Sequence, residues 1–426
     1  RVRVEEMVFP VAPPLELPAP EGHYAELQSR LAGLGYDDVV VAWDFPVGDG
    51  RLLLDSVLAS LPVPTSHAWT RTWTAGDEVS PPAGIAVQAE GTFSSANWLV
   101  DETHIEVDAD GVPVQAGTRD VYLWASIPES VRAAAPGTVP VLVFGHGIMS
   151  EPDDYLAEDG DPNGVLALAE ELGAIVIASK WTGLTQDDRL HALEVAGDFA
   201  RFHEIPEMLA QGVADTTALV HYAAAGALFD DPLFEGLADR TNIVYYGISL
   251  GGIEGSVMFA NQSTIERAVF HVGGSAWATM LERSAQWPPF DIVVTREFPD
   301  PWDRQVLYAA TQVLWDPVDP AAHADRLAGR GVVWQESMGD EQVPNLTTEL
   351  LVRSVGATLA TPSFTTPYGL VAAALPTAGP TMVQYDPEVG YPEAVNRPGG
   401  SSGAHSIPRS WPGCIQQSAH FLATGE

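Results

Sequence analysis

The sequence predicts an α/β fold with a mostly parallel central sheet, and two observations carry that prediction. From Val139 onwards, segments typical of strands alternate with segments typical of helices, which is the order of βαβ units. Two of the strand-like segments, 139–144 and 174–179, are continuous apolar runs, as expected of parallel strands that are covered on both faces. The active site of such a fold lies at the carboxyl ends of the strands.

Helices and further strands follow one another through the rest of this region. Residues 163–172 and 204–225 have the apolar spacing of helices. β-Branched and aromatic runs predict four more strands, at 243–246, 268–272, 332–337 and 381–385. Residues 275–325 are rich in tryptophan and other apolar residues, and they are predicted to form a cap-like insertion.

Residues 1–137 show a different pattern and are predicted to form a separate, mostly β accessory region. The pattern predicts helices at 23–34 and 52–61 and strands at 39–45, 67–73, 84–93 and 121–125. No chemical motif occurs in this region. The remainder, 138–426, is predicted to be the domain that carries the chemistry.

The composition is that of a globular but strongly acidic protein. Of 426 residues, 46% are apolar, which is enough for a sizeable core, and no uncharged apolar run reaches the roughly 18 residues of a membrane span. Only 20 basic residues stand against 57 acidic ones, which gives a formal charge of −37. A surface of this sign repels nucleic acid and anionic membranes, so neither is expected as a partner.

The N-terminus and the cysteine content give information on the cellular location of the protein. The chain begins at Arg1 rather than methionine, which fits the removal of an upstream secretory segment, and a secreted or cell-surface location is predicted. Cys414 is the only cysteine, so no disulfide can form within the chain.

The motif Gly247-Ile248-Ser249-Leu250-Gly251 stands between a predicted strand and a predicted helix. This order is that of the nucleophile elbow, a strained turn in which glycines avoid collisions with the adjoining strand and helix. The serine hydroxyl is held out at the tip of the strand, and the Leu250 N–H points to where a carbonyl oxygen would become an oxyanion. On this motif alone, a Gly-Ser turn without chemistry is the alternative.

A second turn follows the first apolar strand directly, in the sequence Gly145-His146-Gly147-Ile148. A glycine-flanked turn in this place can expose a backbone N–H, so Ile148 is predicted to give the second donor of an oxyanion hole. His146 is interpreted as a support of the turn through hydrogen bonds rather than as a catalytic base.

An acidic residue and a histidine are expected at the ends of later strands. Asp340 follows the strand at 332–337 in a turn, the place for a carboxylate that orients an imidazole, and Glu341 is the alternative acid. Only His405 and His420 come after Asp340. His405 lies in a glycine- and serine-rich loop whereas His420 falls in a helical pattern, so His405 is the predicted base.

The chain order Ser249, Asp340, His405 is that of one hydrolase architecture. From about Val139 onwards, the chain resembles the α/β-hydrolase superfamily, and within it the secreted bacterial esterase- and lipase-like members. The resemblance lies in five segments: 144–148, 178–184, 246–252, 339–344 and 403–405. A minimal hydrolase has no counterpart of the first 137 residues.

The resemblance implies a serine nucleophile, an imidazole base oriented by an aspartate, and an acyl-enzyme intermediate. The expected function is hydrolysis of a small-molecule or polymeric carboxylic ester. A serine peptidase or amidase of the same fold would use the same triad, and a non-catalytic binding protein with a vestigial triad is a further alternative. The resemblance does not fix the substrate.

Substrate-binding residues are predicted within the insertion at 275–325. Trp277, Met280 and Trp287 would form an acyl-binding wall, which favours substrates with an apolar acyl or aromatic part. Ordinary core packing of an insertion helix is the alternative for the same residues.

One further motif has the spacing of a calcium-binding loop. Asp159, Asp161, Asn163 and Glu170 match the oxygen-ligand positions of an EF-hand-type site, so a structural Ca²⁺ is a hypothesis. The same residues precede a predicted helix, where aspartate and asparagine also serve as caps. No cofactor is expected to be required for the reaction.

Overall fold

A computed structural model describes residues 23–35, 49–157, 160–377, 379–392 and 395–426. Two compact units divide the chain, one of residues 1–49 and one of residues 50–426. The described residues of the first unit form one helix, α1 (His23–Gly33). The strand predicted at 39–45 lies outside the described residues.

Eleven of the thirteen strands described in this unit form a single sheet. The strands are β1 (His67–Thr74), β2 (Ile85–Asn97), β3 (Leu99–Val100), β4 (His104–Ile105), β5 (Gly117–Pro128), β6 (Val139–Gly145), β7 (Ile175–Ala178), β8 (Ala238–Ile248), β9 (Arg267–His271), β10 (Gly331–Ser337), β11 (Thr358–Thr361), β12 (Val371–Ala374) and β13 (Thr381–Tyr385). The order across the large sheet is β1-β2-β5-β7-β6-β8-β9-β10-β13-β11-β12, and β3 pairs with β4 in a small hairpin.

The sheet is parallel from β7 to β12 and antiparallel at the other end. All pairs from β6–β7 to β11–β12 run parallel. The pairs β1–β2, β2–β5 and β5–β7 run antiparallel. The predicted α/β fold with a mostly parallel sheet is thereby confirmed.

Helices cover both faces of the sheet. They are α2 (Leu52–Ala59), α3 (Asp153–Leu156), α4 (Val165–Leu172), α5 (Arg189–Ala196), α6 (Glu204–Ala225), α7 (Leu250–Ala260), α8 (Trp277–Met280), α9 (Pro288–Glu297), α10 (Pro301–Trp315), α11 (Ala324–Leu327), α12 (Asn345–Val355) and α13 (Pro412–Thr424). Alternate residues of β6 belong to different apolar clusters: Val141 and Val143 pack with α6 and α7, whereas Leu142 and Phe144 pack with α4 and α13. The two-residue period of a strand explains this alternation. None of the described helices is long and apolar enough to span a membrane.

The predicted boundary at residue 137 is not a boundary between compact units in the structure. β5, which precedes it, pairs with β7 of the parallel part through Trp124 and Ala178, Ala125 and Ile177, and Ser126 and Val176. Residues 50–426 accordingly form one unit. The change of sequence pattern near residue 137 marks the change from antiparallel to parallel pairing within one sheet, because antiparallel strands need no helical crossovers.

Candidate active site

Ser249 lies in a strained turn between β8 and α7. Its backbone has φ 59° and ψ −115°, a region that L-residues adopt at a cost of order 1–3 kcal/mol. The turn is held on both sides: the Ser249 N–H donates to the His271 carbonyl at 2.9 Å, and the Ser249 carbonyl accepts from the Gly252 N–H at 2.8 Å. These features are those of a nucleophile elbow.

The glycines of the elbow are required by close backbone contact. A Cβ on Gly251 would lie 2.1 Å from the carbonyl oxygen of Gly145, and a Cβ on Gly247 would lie 2.1 Å from the carbonyl oxygen of Gly251. The Tyr245 hydroxyl donates to that Gly251 oxygen at 2.6 Å. Helix α7 therefore sits directly against the end of β6, which fixes the serine at the carboxyl ends of the strands.

We expect Gly251→Ala to destabilise the protein by at least about 1–3 kcal/mol, because the new methyl group meets backbone atoms that cannot turn away. Chemical denaturation measures this change. Gly413→Ala is the matched control, since a Cβ on Gly413 meets nothing within 4 Å. Equal stability of the two variants would contradict the close contact.

Asp340, which follows β10, and His405, in the loop before α13, form a buried hydrogen-bonded pair. The His405 Nδ1 lies 2.9 Å from Asp340 Oδ1 and 2.8 Å from Oδ2, and both residues are 2% exposed. Asp340 Oδ1 also accepts the N–H groups of Gln342 and Val343 at 2.8 and 2.9 Å. Hydrogen bonds within the turn that contains Asp340 therefore fix its carboxylate independently of the contact with the imidazole.

Glu341, the alternative acid, has a different place in the structure. Its carboxylate accepts the Ser402 hydroxyl at 2.8 Å and the N–H groups of Gly403 and His405 at 3.2 Å each. Burial acts to raise the pKa of Glu341, but hydrogen bonds from its own N–H, from Ser402 and from the His405 loop outweigh burial and lower that pKa. Glu341 thus holds the backbone of the loop that carries His405, while Asp340 contacts the imidazole.

Further hydrogen bonds hold the same loop. Ser337 at the end of β10 donates to the Ala404 carbonyl at 2.6 Å, and Arg409 donates to the His405 carbonyl at 2.9 Å. His420, the other histidine weighed as a base, is an exposed residue of α13. The structure brings Asp340 together with His405 and not with His420.

His146 has the structural role predicted for it. Its Nδ1 donates to the Gly147 carbonyl at 2.8 Å, and its Nε2 accepts the Trp181 N–H at 2.9 Å, so both ring nitrogens are occupied within the backbone. Burial lowers the pKa of His146 to about 4, which keeps the ring neutral. The ring fixes the turn after β6.

The two predicted oxyanion donors occupy positions with free amide groups. Met149 donates its N–H to the Leu184 carbonyl at 2.7 Å, and Gly147 donates to the Tyr155 hydroxyl at 3.2 Å. The Ile148 N–H between them makes no hydrogen bond within the described part of the chain. Leu250 is the first residue of α7, where an amide has no partner inside the helix.

A cavity opens beside Ser249 and is almost entirely apolar. It encloses about 880 Å³, part of which is open to solvent. Ile148, Ser249 and Leu250 line it together with the predicted Trp277, Met280 and Trp287. Sequence reasoning missed a further part of the wall, which comes from α5, the turn between α5 and α6, the start of α6, and α10, and includes Val195, Phe199, Phe202, Ile205 and Trp315.

The two tryptophans predicted to line the cavity, Trp277 and Trp287, differ in their surroundings. Trp277 stacks on Trp315 with ring centroids 4.9 Å apart and belongs to the main core. Trp287 belongs to a small satellite cluster, where it stacks on Phe290 at 5.6 Å. Trp277 therefore both packs in the core and lines the cavity, as each of the two interpretations of this residue predicts.

Glu254 is a buried carboxyl group of α7 that the sequence did not reveal. It is fully buried, and neither of its oxygens accepts a well-formed hydrogen bond from the described residues. Burial raises the pKa of Glu254 well above its ordinary value, the charge of Asp319 raises it further, and the nearby Trp277 indole opposes these effects. The folded protein therefore holds Glu254 protonated.

We expect Glu254→Gln to gain stability relative to the parent protein as the pH rises above about 4.5. The unfolded parent chain ionises Glu254 there whereas the folded chain does not, so the parent loses stability with rising pH, by about 1.4 kcal/mol per unit. Unfolding free energies at pH 5 and pH 8 test this. The exposed Glu194→Gln is the control, and a pH-independent difference for Glu254→Gln would contradict the buried neutral carboxyl.

The predicted calcium loop is partly described. Asp161 accepts the Ala167 N–H at 2.7 Å at the start of α4, Asn163 accepts from Arg409 at 3.0 Å, and Glu170 accepts from Ser130 at 2.9 Å. Asp159 lies outside the described residues. Each of the three described side chains thus has a protein partner, and calcium binding here stays a prediction.

Comparisons with known proteins concern the fold. No protein-family model matches the sequence, and no curated protein sequence matches it. Among solved structures, the chain is similar to acetyl xylan esterase 1 from Thermoanaerobacterium sp. JW/SL YS485, with 13% identity, a TM-score of 0.46, and 90% of this chain and 100% of that chain covered.

Two further solved structures are similar at the same level. Carboxyl esterase 2 from the mycorrhizal fungus Tuber melanosporum shares 14% identity with a TM-score of 0.40, over 89% of this chain and 99% of that chain. A puromycin-hydrolyzing peptidase from Mycobacterium tuberculosis shares 15% identity with a TM-score of 0.40, over 79% of this chain and 45% of that chain. On its own strand order and elbow, the chain has the α/β-hydrolase fold.

Proposed function

We propose that this protein is a serine hydrolase that cleaves carboxylic esters with an apolar acyl or aromatic part. One observation carries the proposal: a strained Ser249 opens onto an apolar cavity at the same strand ends where a buried Asp340–His405 pair lies. Strain of this kind is retained where it positions a reacting group.

In the proposed reaction, Ser249 Oγ attacks the ester carbonyl while His405 Nε2 takes the hydroxyl proton. Asp340 holds the Nδ1 proton, which fixes the tautomer and stabilises the imidazolium that forms. The imidazolium then gives its proton to the leaving alcohol. Water, deprotonated by the same imidazole, attacks the acyl-enzyme and releases the acid and the free serine.

The tetrahedral intermediates would be stabilised by the N–H groups of Ile148 and Leu250. Both residues line the cavity, and both amides are free among the described residues. In comparable sites, the loss of one such donor costs about 3–4 kcal/mol of transition-state stabilisation. A fixed pair of amides needs no reorganisation as the negative charge develops.

The cavity wall sets the expected substrate class. Aromatic and aliphatic side chains form nearly all of it. Apart from Ser249, the polar residues of the wall are Ser284, Gln286 and Gln342. An acyl chain or aromatic ring that enters this cavity gains about 25 cal/mol for each Å² of apolar surface removed from water. A charged acyl group would lose its hydration without gaining a partner.

Hydrolysis of p-nitrophenyl esters from acetate to palmitate tests the proposal, with p-nitroanilides of the same acids in parallel. We expect ester cleavage to exceed anilide cleavage by a wide margin. Preferential anilide cleavage would favour the peptidase or amidase alternative, and the absence of both activities would favour a non-catalytic protein.

Trp287→Ala should raise the ratio of kcat/KM for octanoate over acetate by about tenfold, because removal of the indole enlarges the acyl site in its satellite cluster. Rates are measured well below the melting temperature, since loss of a buried tryptophan also costs stability. Trp302→Ala is the matched control, because Trp302 is 78% exposed on α10. An unchanged ratio in Trp287→Ala would remove this residue from the acyl site.

A further inference from the structure

A second set of ligand-type side chains lies outside the cavity, between the β3–β4 hairpin and the start of α6. It consists of His104 on β4, His203 directly before α6, and Glu207 in the first turns of α6. The nitrogen and oxygen atoms that these three residues offer lie within 4.8 Å of one another. His203 and Glu207 are four residues apart in continuous helical geometry, which places them on one face.

The carboxylate of Glu207 is already oriented towards the histidines. Its Oε2 accepts the Ile105 N–H at 2.6 Å and lies 2.8 Å from His104 Nδ1. The rings of His104 and His203 meet edge to face with centroids 5.4 Å apart. A backbone N–H that fixes a carboxylate in this way is the usual outer support of a metal ligand.

The chemistry of the three groups selects among metal ions. Two imidazoles and one carboxylate are the ligand set of zinc sites that keep a position open for water, and imidazole favours Zn²⁺, Ni²⁺ or Cu²⁺ over Ca²⁺ and Mg²⁺. The His104 side chain is 50% exposed, so water can reach the site. The formal charge of −37 raises the concentration of cations near the surface.

We propose that His104, His203 and Glu207 form a binding site for one divalent zinc-class cation. The ion would join the β3–β4 hairpin to the start of α6. Two neighbours of His203 in the chain, Phe202 and Ile205, line the apolar cavity. The ion therefore anchors the helix end that supplies part of the cavity wall.

Isothermal titration of the metal-free full-length protein with ZnCl₂ tests this proposal, with CoCl₂ absorption spectra as a second readout. The parent protein is expected to bind one equivalent of Zn²⁺, to show visible Co²⁺ bands, and to melt a few degrees higher with zinc. His104→Ala and His203→Ala should each weaken zinc binding at least about tenfold and lose the cobalt bands. Neither MgCl₂ nor CaCl₂ should produce these effects.

His191→Ala provides the matched control. His191 Nε2 lies 3.0 Å from a carboxylate oxygen of the nearby Glu204. Among the described residues, no third histidine, cysteine or acidic side chain joins this pair to form a possible metal site. The control should bind zinc as the parent does. No binding by the parent, equal binding by all variants, or loss in only one of His104→Ala and His203→Ala would overturn the three-residue site.

Discussion

Ser249→Ala should lower kcat/KM for p-nitrophenyl ester hydrolysis by at least about 10⁴-fold and leave the melting temperature unchanged. The attacking oxygen is lost, and what remains is the smaller contribution of the oxyanion donors and of binding. Alanine retains the Cβ, so the backbone conformation at φ 59° is no more strained than before. Steady-state kinetics and a melting curve measure the two effects.

Ser256→Ala is the matched control for this variant. Ser256 lies on α7, the helix that follows Ser249, is fully buried, and donates its hydroxyl to the Gly252 carbonyl at 2.6 Å. Its loss should cost about 1 kcal/mol of stability and little activity. Activity that survives in Ser249→Ala would end the proposed mechanism, whereas equal losses in both variants would point to distortion of α7.

Asp340→Asn should lower kcat by about 10⁴-fold at neutral pH, the second largest effect expected here. An asparagine keeps the shape but cannot hold the Nδ1 proton as a carboxylate does, so the imidazole adopts the wrong tautomer for taking a proton from Ser249.

Glu341→Gln is the matched comparison, because Glu341 is the adjacent residue and equally buried. It should lower activity about tenfold or less, since glutamine keeps an oxygen for the Ser402 and His405 donors and loses only the acceptor of the Gly403 N–H. Glu341→Gln should also remove a pH-dependent stabilisation of the folded protein. Because the pKa of Glu341 is lowered on folding, its carboxylate stabilises the protein at pH values above the pKa of this group in the unfolded chain, and the stabilisation is lost as the pH falls. A larger kinetic loss in Glu341→Gln than in Asp340→Asn would reverse the two roles.

The elbow and the contact between Asp340 and His405 could be predicted from patterns in the sequence. The Gly-x-Ser-x-Gly pattern around Ser249 is local, although Gly251 is required by its contact with Gly145 at the end of the distant strand β6. Asp340 follows a recognisable strand and His405 lies in a recognisable loop. Parallel strands bring their carboxyl ends to one edge, so placement on strand ends was enough to bring Asp340 and His405 together.

Other features depend on contacts between distant segments and could not be predicted. The pairing of β5 with β7 joins residues 124–126 to residues 176–178, and no local sequence pattern predicts this pairing. The wall supplied by Phe202 and Ile205 likewise depends on how α6 packs against the insertion. Asp340 and Glu341 are adjacent in the sequence, which does not distinguish their roles. Only the hydrogen bonds that Glu341 accepts from residues 402–405 show that it holds the loop, whereas Asp340 contacts the imidazole.

Covalent labelling of the native protein with a fluorophosphonate, followed by mass spectrometry of its peptides, tests the proposed nucleophile most directly. The account predicts one adduct, located on Ser249, and sharply reduced labelling of His405→Ala and of denatured protein, because both lack the aligned imidazole. An unlabelled Ser249 in the native protein, or an adduct on another residue, would contradict the proposed serine hydrolase.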